Sequence, residues 1–165
     1  MSKYAIGLDY GTNSCRAVLM EIGSTKELAS SVFPYPSGEL GILADPSDPH
    51  VARQHPQDYI DGMVTNIQNV LKQGQEEIDG FSPDQVAGLG FATTGSTVIP
   101  VNENCTPLAL TPEFKGNYNA MAWLWKDHTS SEEAALITDV ASKIRPEYMA
   151  RCGGTYSSEL SLIHI

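Results

Sequence analysis

Apolar runs and polar turns alternate along the first part of the chain. Residues 4–8 form a short apolar run that ends in Asp9, residues 11–14 form a polar turn, and residues 14–20 return as a second run rich in valine and leucine. Two such runs around a short turn predict a β-hairpin. Gly23 and Ser24 mark another turn, and residues 27–33 are predicted as a third strand, so the chain begins with an antiparallel meander.

A helical period follows a long stretch that contains five prolines. Residues 34–56 are predicted to form an irregular loop near a substrate cleft or towards another domain, because long loops in compact domains usually serve function. Beyond it, apolar residues recur at steps of three and four, which predicts a helix with one buried face that ends near Gly74 and Glu76. The predicted buried positions are Tyr59, Ile60, Met63, Val64, Ile67, Val70 and Leu71, and the predicted polar face holds Asp58, Asp61, Asn66, Gln68 and Lys72.

The second half of the chain continues the alternation of strands and helices. Residues 86–93 are nearly all small or apolar, which predicts a central strand buried on both faces. Residues 98–101 are predicted as a further strand, and residues 112–127 as irregular. A second helix is predicted from near Ser130, with a capping box to Glu133, as far as Pro146. The order predicts an α/β domain, in which ligands lie beyond the carboxyl ends of strands, here at residues 94–97.

Composition and charge narrow the range of partners. The chain has 165 residues, enough for one domain, with a net charge of -10 and a pI near 4.6. This balance argues against binding to nucleic acid or to an anionic membrane surface, and no apolar run reaches the roughly 18 residues of a membrane span. Three well-separated cysteines indicate free thiols rather than a disulfide set or a metal site, and we expect a cytoplasmic protein.

The tip of the predicted hairpin has the chemistry of a phosphate site. A turn of small residues can direct several backbone N–H groups at one anion. The carboxylate of Asp9 beside it can hold Mg²⁺ through water, since Mg²⁺ takes one or two carboxylates together with phosphate oxygens. The alternative is an ordinary hairpin whose turn needs Gly11 and Asn13 for backbone reasons.

A second cluster lies at residues 123–129, where the sequence Trp-Leu-Trp-Lys-Asp-His-Thr places a cation, a carboxylate and an imidazole beside two tryptophans. A sugar site needs flat aromatic surface and fixed charged hydrogen-bonding partners. The alternative is that both tryptophans are core residues and that Lys126 and Asp127 form a solvated surface pair.

The motifs together resemble a known family. The spacing Asp-x-Gly-Thr-Asn-Ser-x-Arg at residues 9–16 resembles the first phosphate motif of the sugar kinase, Hsp70 and actin superfamily. Combined with the Thr-Gly-Ser-Thr turn at 94–97, the run 119–129 and the run 153–159, it is similar to the FGGY carbohydrate kinase family, in its L-ribulose branch. The resemblance covers residues 1–159 as one N-terminal part of a kinase domain, whereas residues 160–165 do not match.

The resemblance implies a fold and a set of site residues. The fold would be the N-terminal domain of an actin-like ATPase (ribonuclease H-like), an incomplete α/β domain whose mixed sheet starts with the meander. The cofactors would be ATP and Mg²⁺, with Mg²⁺ held by Asp9 through water. The implied phosphate residues are Asp9, Gly11, Thr12, Asn13, Ser14 and Arg16. The implied sugar residues are Thr94, Gly95, Ser96, Lys126 and Asp127.

The implied activity is the ATP-dependent phosphorylation of L-ribulose to L-ribulose 5-phosphate in L-arabinose catabolism. The family is roughly three times as long, and its catalytic base and adenosine pocket lie downstream, so this chain is expected to hold no catalytic residue and to be inactive alone. Ala92 stands where the family usually has an aspartate. The expected partner is a small sugar, without nucleic acid or membrane, and a homodimer is left open for the full-length protein. The rival hypotheses are an incomplete nucleotide- or sugar-binding module and an actin- or Hsp70-like ATPase.

Overall fold

The computed structural model describes residues 3–24 and 26–161, and these divide into two compact units. The first unit is formed by the described residues up to Ile42 together with His55–Thr94. The second is formed by Leu43–Gln54 together with the described residues from Gly95 onward. Of the predicted tail at residues 160–165, residues 162–165 lie outside the described residues.

The first unit contains a mixed sheet with the strand order β3-β2-β1-β6. Strands β1 (Tyr4–Tyr10), β2 (Ser14–Glu21) and β3 (Glu27–Pro34) are antiparallel neighbours, which confirms the predicted meander. Strand β6 (Val86–Thr93) runs parallel to β1. The short 3-10 helix Pro83–Gln85 leads into β6.

One face of this sheet carries the core of the first unit. Tyr4, Ile6 and Leu8 alternate along β1 and are buried, as residues of one strand face must be when that face is covered. Helix α1 (Pro56–Glu77) packs on β2 and β3 and contributes Val70. The predicted helix is therefore confirmed.

The buried stripe of α1 differs from the predicted one. Its fully covered positions recur every four residues at Asp58, Gly62, Asn66, Val70 and Gly74, whereas Ile60 and Val64 are exposed. The prediction counted apolar residues, but the helix lies closest to the sheet where its side chains are small. Asp58 and Asn66, assigned to the polar face, are buried because each bonds to a partner across the packing interface: Asp58 accepts hydrogen bonds from Ser37, and the Asn66 amide donates to the Cys15 carbonyl at 2.9 Å.

Strand β6 was wrongly predicted to be central and buried on both faces. Among the described residues its hydrogen-bonded neighbour is β1 alone, and seven of its eight residues are exposed. Leu89 is 48% exposed and Phe91 59%, although they pair with the buried Ile6 and Leu8 and so share the face that α1 covers elsewhere. An apolar sequence shows that a strand suits burial, but it does not supply the neighbour that buries it.

The second unit contains a small antiparallel sheet inside segments predicted to be irregular. Strands β4 (Leu43–Asp45), β5 (Asp48–Gln54) and β7 (Ala122–Trp123) form it in the order β4-β5-β7. The prediction failed because β5 pairs with a partner about seventy positions away, as Arg53 opposite Trp123 shows. The strand predicted at residues 98–101 is also wrong. Within the described part of the chain, this segment makes single bridges instead, from Val98 to Trp123 and from Val101 to Pro107.

The remaining regular elements of the second unit are helices. These are α2 (Ser131–Ile144), α3 (Pro146–Arg151) and α4 (Ser158–Ser161), with 3-10 helices at Leu108–Leu110, Pro112–Phe114 and Tyr118–Ala120. The second predicted helix is thus confirmed, but its capping box is wrong, because the Ser130 hydroxyl donates to the Ser158 carbonyl at 2.8 Å instead of capping α2. All three cysteines are free thiols. No helix in the described part of the chain is long and apolar enough to cross a membrane.

Candidate functional site

The predicted phosphate turn joins β1 to β2 and is held by its own hydrogen bonds. The Gly11 N–H donates to the Ser14 carbonyl at 2.9 Å, so this N–H is committed to closing the turn. Asn13 connects the turn to the following loop, since its carbonyl accepts from the Tyr35 N–H at 3.0 Å and its side-chain amide donates to the Leu40 carbonyl at 2.6 Å. A phosphate would therefore bind to the remaining donor groups of the turn and to the Arg16 guanidinium, whereas Asp9 would act through a Mg²⁺ ion.

The backbone does not require the small residues of this turn. Neither Gly11 nor Asn13 has a positive φ, the conformation for which hairpin turns usually select glycine and asparagine. A Cβ atom on Gly11 would meet the Ser14 carbonyl oxygen at 3.4 Å, an ordinary contact. Backbone geometry alone therefore does not explain why Gly11 and Asn13 stand in this turn. Small residues there favour instead the close approach of a ligand to the turn.

Asp9 and Arg16 stand opposite each other on the strands that flank the turn. Both are exposed and lie on the sheet face away from α1, because Leu8 and Cys15 beside them point into the core. On its other side Asp9 pairs with Ala92 of β6. An aspartate at position 92 would place a second carboxylate beside Asp9. In this chain Asp9 instead lies between Arg16 on β2 and the methyl group of Ala92 on β6.

The parallel pairing of β1 and β6 brings the predicted phosphate turn and Thr94 to one edge of the sheet. The turn at 11–14 follows the carboxyl end of β1 and Thr94 follows the carboxyl end of β6, with the Thr94 N–H donating to the Tyr10 carbonyl at 3.1 Å. Thr94 is the last residue of the first unit. Gly95 and Ser96 begin the second unit, and Ser96 has a φ of 59°, which is uncommon for a residue with a side chain.

A tyrosine cluster lies close to the turn. The rings of Tyr10 and Tyr35 both meet Tyr59 edge-on, with centroids 5.8 and 5.4 Å away. Burial raises the pKa of Tyr10 to about 12 and raises the pKa values of Tyr35, Tyr59 and the Cys15 thiol as well. These groups are neutral near pH 7, so the cluster supports the turn by packing and adds no charge to it.

Lys126 and Asp127, predicted as a substrate-side pair, lie in different environments within the second unit. Lys126 is exposed, with its Nζ atom 5.4 Å from the centre of the Trp125 ring. Asp127 is completely buried and forms an ion pair with Arg53, which is 1% exposed. The sequence pattern gave no signal for Arg53, which lies between Ala52 and Gln54 in the stretch predicted to be an irregular loop.

Arg53 and Trp123 border an open cavity of about 370 Å³ in the second unit. Asp48, Asn119, Thr129 and Glu133 complete most of its polar lining. Aromatic surface beside hydroxyl, amide and carboxylate groups suits a polyhydroxylated ligand. Among the described residues no group of three or more histidine, cysteine or acidic side chains could hold a metal ion, and a Mg²⁺ ion bound through water and phosphate needs no such group.

Comparison with known protein families identifies the family of this chain. Residues 4–158 match the N-terminal domain of the FGGY family of carbohydrate kinases. The chain belongs to this family. It is 42% identical over 158 residues to a ribulokinase of Vibrio parahaemolyticus serotype O3:K6 (strain RIMD 2210633), a match that covers 95% of this chain and 27% of the relative. It is 38% identical over 167 residues to a ribulokinase of Geobacillus thermodenitrificans (strain NG80-2), covering 99% and 28%.

Solved structures support the same fold for this FGGY domain. A crystal structure of a xyloylose kinase from Brucella ovis superposes with a TM-score of 0.68 at 18% identity, over 94% of this chain and 27% of that one. The predicted fold, the α/β N-terminal domain of an actin-like ATPase, is thereby confirmed. The carbohydrate kinase match also separates the chain from the actin and Hsp70 alternatives. The chain spans about a quarter of the length of the curated relatives it matches.

Proposed function

We propose that this chain is the N-terminal part of an ATP-dependent kinase that phosphorylates L-ribulose, as its relatives named ribulokinase suggest. The observation that carries the proposal is that the parallel strands β1 and β6 end at the same edge of the sheet. There the candidate phosphate turn and Thr94, the first residue of the candidate sugar turn, follow neighbouring parallel strands, the arrangement by which α/β sheets place ligands. The product would be L-ribulose 5-phosphate, a step of L-arabinose catabolism.

The residues at this edge fit a Mg²⁺–ATP polyphosphate. Asp9 is exposed and is a single carboxylate at the end of β1, which suits Mg²⁺ held through water. Arg16 is opposite it and offers a guanidinium to phosphate oxygens. Gly11 has no side chain and so permits close approach, and Thr12 adds a hydroxyl. The bond from the Gly11 N–H to Ser14 and the bonds of Asn13 hold the turn in shape. When bound, the nucleotide supplies the phosphoryl group and the metal neutralises its charge.

On the sugar side, we assign the positioning of the sugar to Thr94, Gly95 and Ser96. Lys126 is exposed and would add a cation to the sugar site. Phosphoryl transfer depends chiefly on holding two substrates in line, so binding residues of this kind carry much of the catalytic effect. The residues of this chain are assigned to binding and orientation, and the family's base for the hydroxyl proton is expected elsewhere.

We infer a cytoplasmic location from the free thiols, and a homodimer of the full-length protein remains part of the proposal.

An ATP-coupled assay tests the proposal. Residues 1–159 would be joined to the remainder of the Vibrio parahaemolyticus ribulokinase, and L-ribulose would be compared with other ketopentoses. We expect the joined protein to turn over L-ribulose in preference, and the 165-residue chain alone to be inactive. Failure of a well-folded joined protein to phosphorylate any ketopentose would contradict the proposal. Turnover by the 165-residue chain alone would contradict the expectation that this chain holds only part of the active site.

A further inference from the structure

The carboxylate of Asp127 is saturated by groups of the protein itself. It accepts hydrogen bonds from the N–H of Ala52 at 2.7 Å and from the N–H of Thr129 at 3.1 Å. The Thr129 hydroxyl donates to it as well, and the guanidinium of Arg53 forms an ion pair with it. With these four partners and complete burial, Asp127 could reach a sugar hydroxyl only by giving up one of them.

The Arg53 side chain connects three parts of the second unit. Its Nε atom donates to the Tyr118 carbonyl at 3.2 Å, and its other end meets Asp127. Its guanidinium also lies 3.8 Å from the centre of the Trp123 ring, its partner in the β5–β7 register. A planar cation stacked on an indole and fixed by a carboxylate is a rigid support, because the guanidinium has few other orientations that keep all three contacts.

Trp123 is consequently held on two sides. Arg53 covers its ring, and its indole N–H donates to the Asn119 carbonyl at 3.2 Å. Both Trp123 and Asn119 line the polar cavity of the second unit. The orientation of the largest side chain at that cavity therefore depends on an ion pair that is itself out of reach of solvent.

We propose that Arg53 and Asp127 are positioning residues, which orient Trp123 and the adjoining loop for sugar binding, and that Asp127 acts through Arg53 rather than by contact with the sugar. The inference rests on the proposed function for its link to sugar. Asp127→Asn leaves the Arg53 cation buried without its carboxylate. Arg53→Lys keeps the charge but loses the planar guanidinium that stacks on Trp123, so both variants disturb the same support. Two residues that act through one support should have effects that are not additive.

The first test uses the 165-residue chain labelled with nitrogen-15, with Phe91→Lys in every sample so that the exposed edge of β6 does not pair between copies. It has two tryptophans, and Trp125→Phe assigns their indole resonances. We expect Asp127→Asn and the conservative Arg53→Lys each to shift the Trp123 resonance. Asp139→Asn, which removes the exposed pair with Lys143 in the same unit, is the matched control and should shift neither resonance. An unmoved Trp123 resonance in folded variants would overturn the proposal.

The second test uses the joined kinase described above. We expect each single variant to raise the KM for L-ribulose by about tenfold and the KM for ATP by less than about twofold, and the double variant to resemble the worse single one. Multiplied effects in the double variant would instead indicate that Asp127 contacts the sugar, against the proposal. An inactive joined protein would count against the proposed function, while the indole resonances would still decide whether the pair positions Trp123.

Discussion

Asp9 carries the clearest prediction at the scale of single residues. In the joined kinase, we expect Asp9→Ala to lower kcat by roughly 10²–10³-fold or more, the usual order when a charge-stabilising group is lost. The carboxylate is exposed at the end of β1, so the free energy of unfolding should change by less than about 0.5 kcal/mol. Steady-state kinetics and thermal melts would measure both.

The control for Asp9→Ala is Asp84→Ala, which removes another exposed carboxylate of the first unit. Asp84 lies at the opposite end of β6, before the strand begins, and its loss should leave kcat unchanged. Turnover of the Asp9 variant within about twofold of the parent, well below the expected 10²–10³-fold loss, would remove Asp9 from the phosphate site.

Gly95 tests the sugar turn separately from folding. A Cβ atom there would meet no described atom within 4 Å, and the backbone has no positive φ that only glycine tolerates. Gly95→Leu should therefore fold normally. In the joined kinase it should raise the KM for L-ribulose by at least about tenfold through steric conflict with the ligand, and leave the KM for ATP nearly unchanged. An unaltered KM for the sugar would place the sugar elsewhere.

At the scale of elements, α1 packs through its glycines. A Cβ atom on Gly62 would lie 2.9 Å from the Cβ atom of Cys15 and 3.2 Å from the ring of Phe33. Alanine raises helix propensity by about 1 kcal/mol, but overpacking of a closed interface costs about 1–3 kcal/mol. Since the Cys15 Cβ is fixed to its strand, the cost should dominate, and Gly62→Ala should destabilise the chain by about 1 kcal/mol.

Urea unfolding of the 165-residue chain would measure this change. Gln68→Ala, at an exposed position of the same helix, is the control and should be neutral or slightly stabilising. A Gly62→Ala variant more stable than the parent would show that α1 can move away from the sheet without cost.

The elements also show what sequence alone could and could not predict. The meander, α1 and α2 follow local patterns, so their existence and approximate ends could be derived from the residues. The pairing of β5 with β7 could not, because it joins residues about seventy positions apart. The local β4–β5 hairpin was missed because its proline-rich sequence lacks an alternating apolar pattern. The candidate phosphate turn could be proposed from its residue types, whereas the Arg53–Asp127 pair is visible only in the fold, which brings position 53 to position 127.

At the scale of the whole molecule, the decisive feature is apolar surface that the described residues leave uncovered. Leu89 and Phe91 are exposed along β6, whose outer edge has no hydrogen-bonded neighbour within the described part of the chain. Leu136 of α2 is 63% exposed and Trp125 41%, whereas Trp123 is partly covered. Edges and patches of this kind favour association between chains.

We therefore expect the 165-residue chain to associate at micromolar concentration and to bind the dye ANS. A charge on β6 should oppose this, because lysine on an edge strand discourages pairing with another strand. Phe91→Lys should shift the sedimentation profile towards the monomer and reduce dye fluorescence. Ile22→Lys, which replaces an equally exposed apolar residue away from β6, should have a smaller effect. A parent chain that sediments as a sharp monomer without dye binding would contradict the prediction, and equal effects of the two lysines would show that general charge rather than the β6 edge controls association.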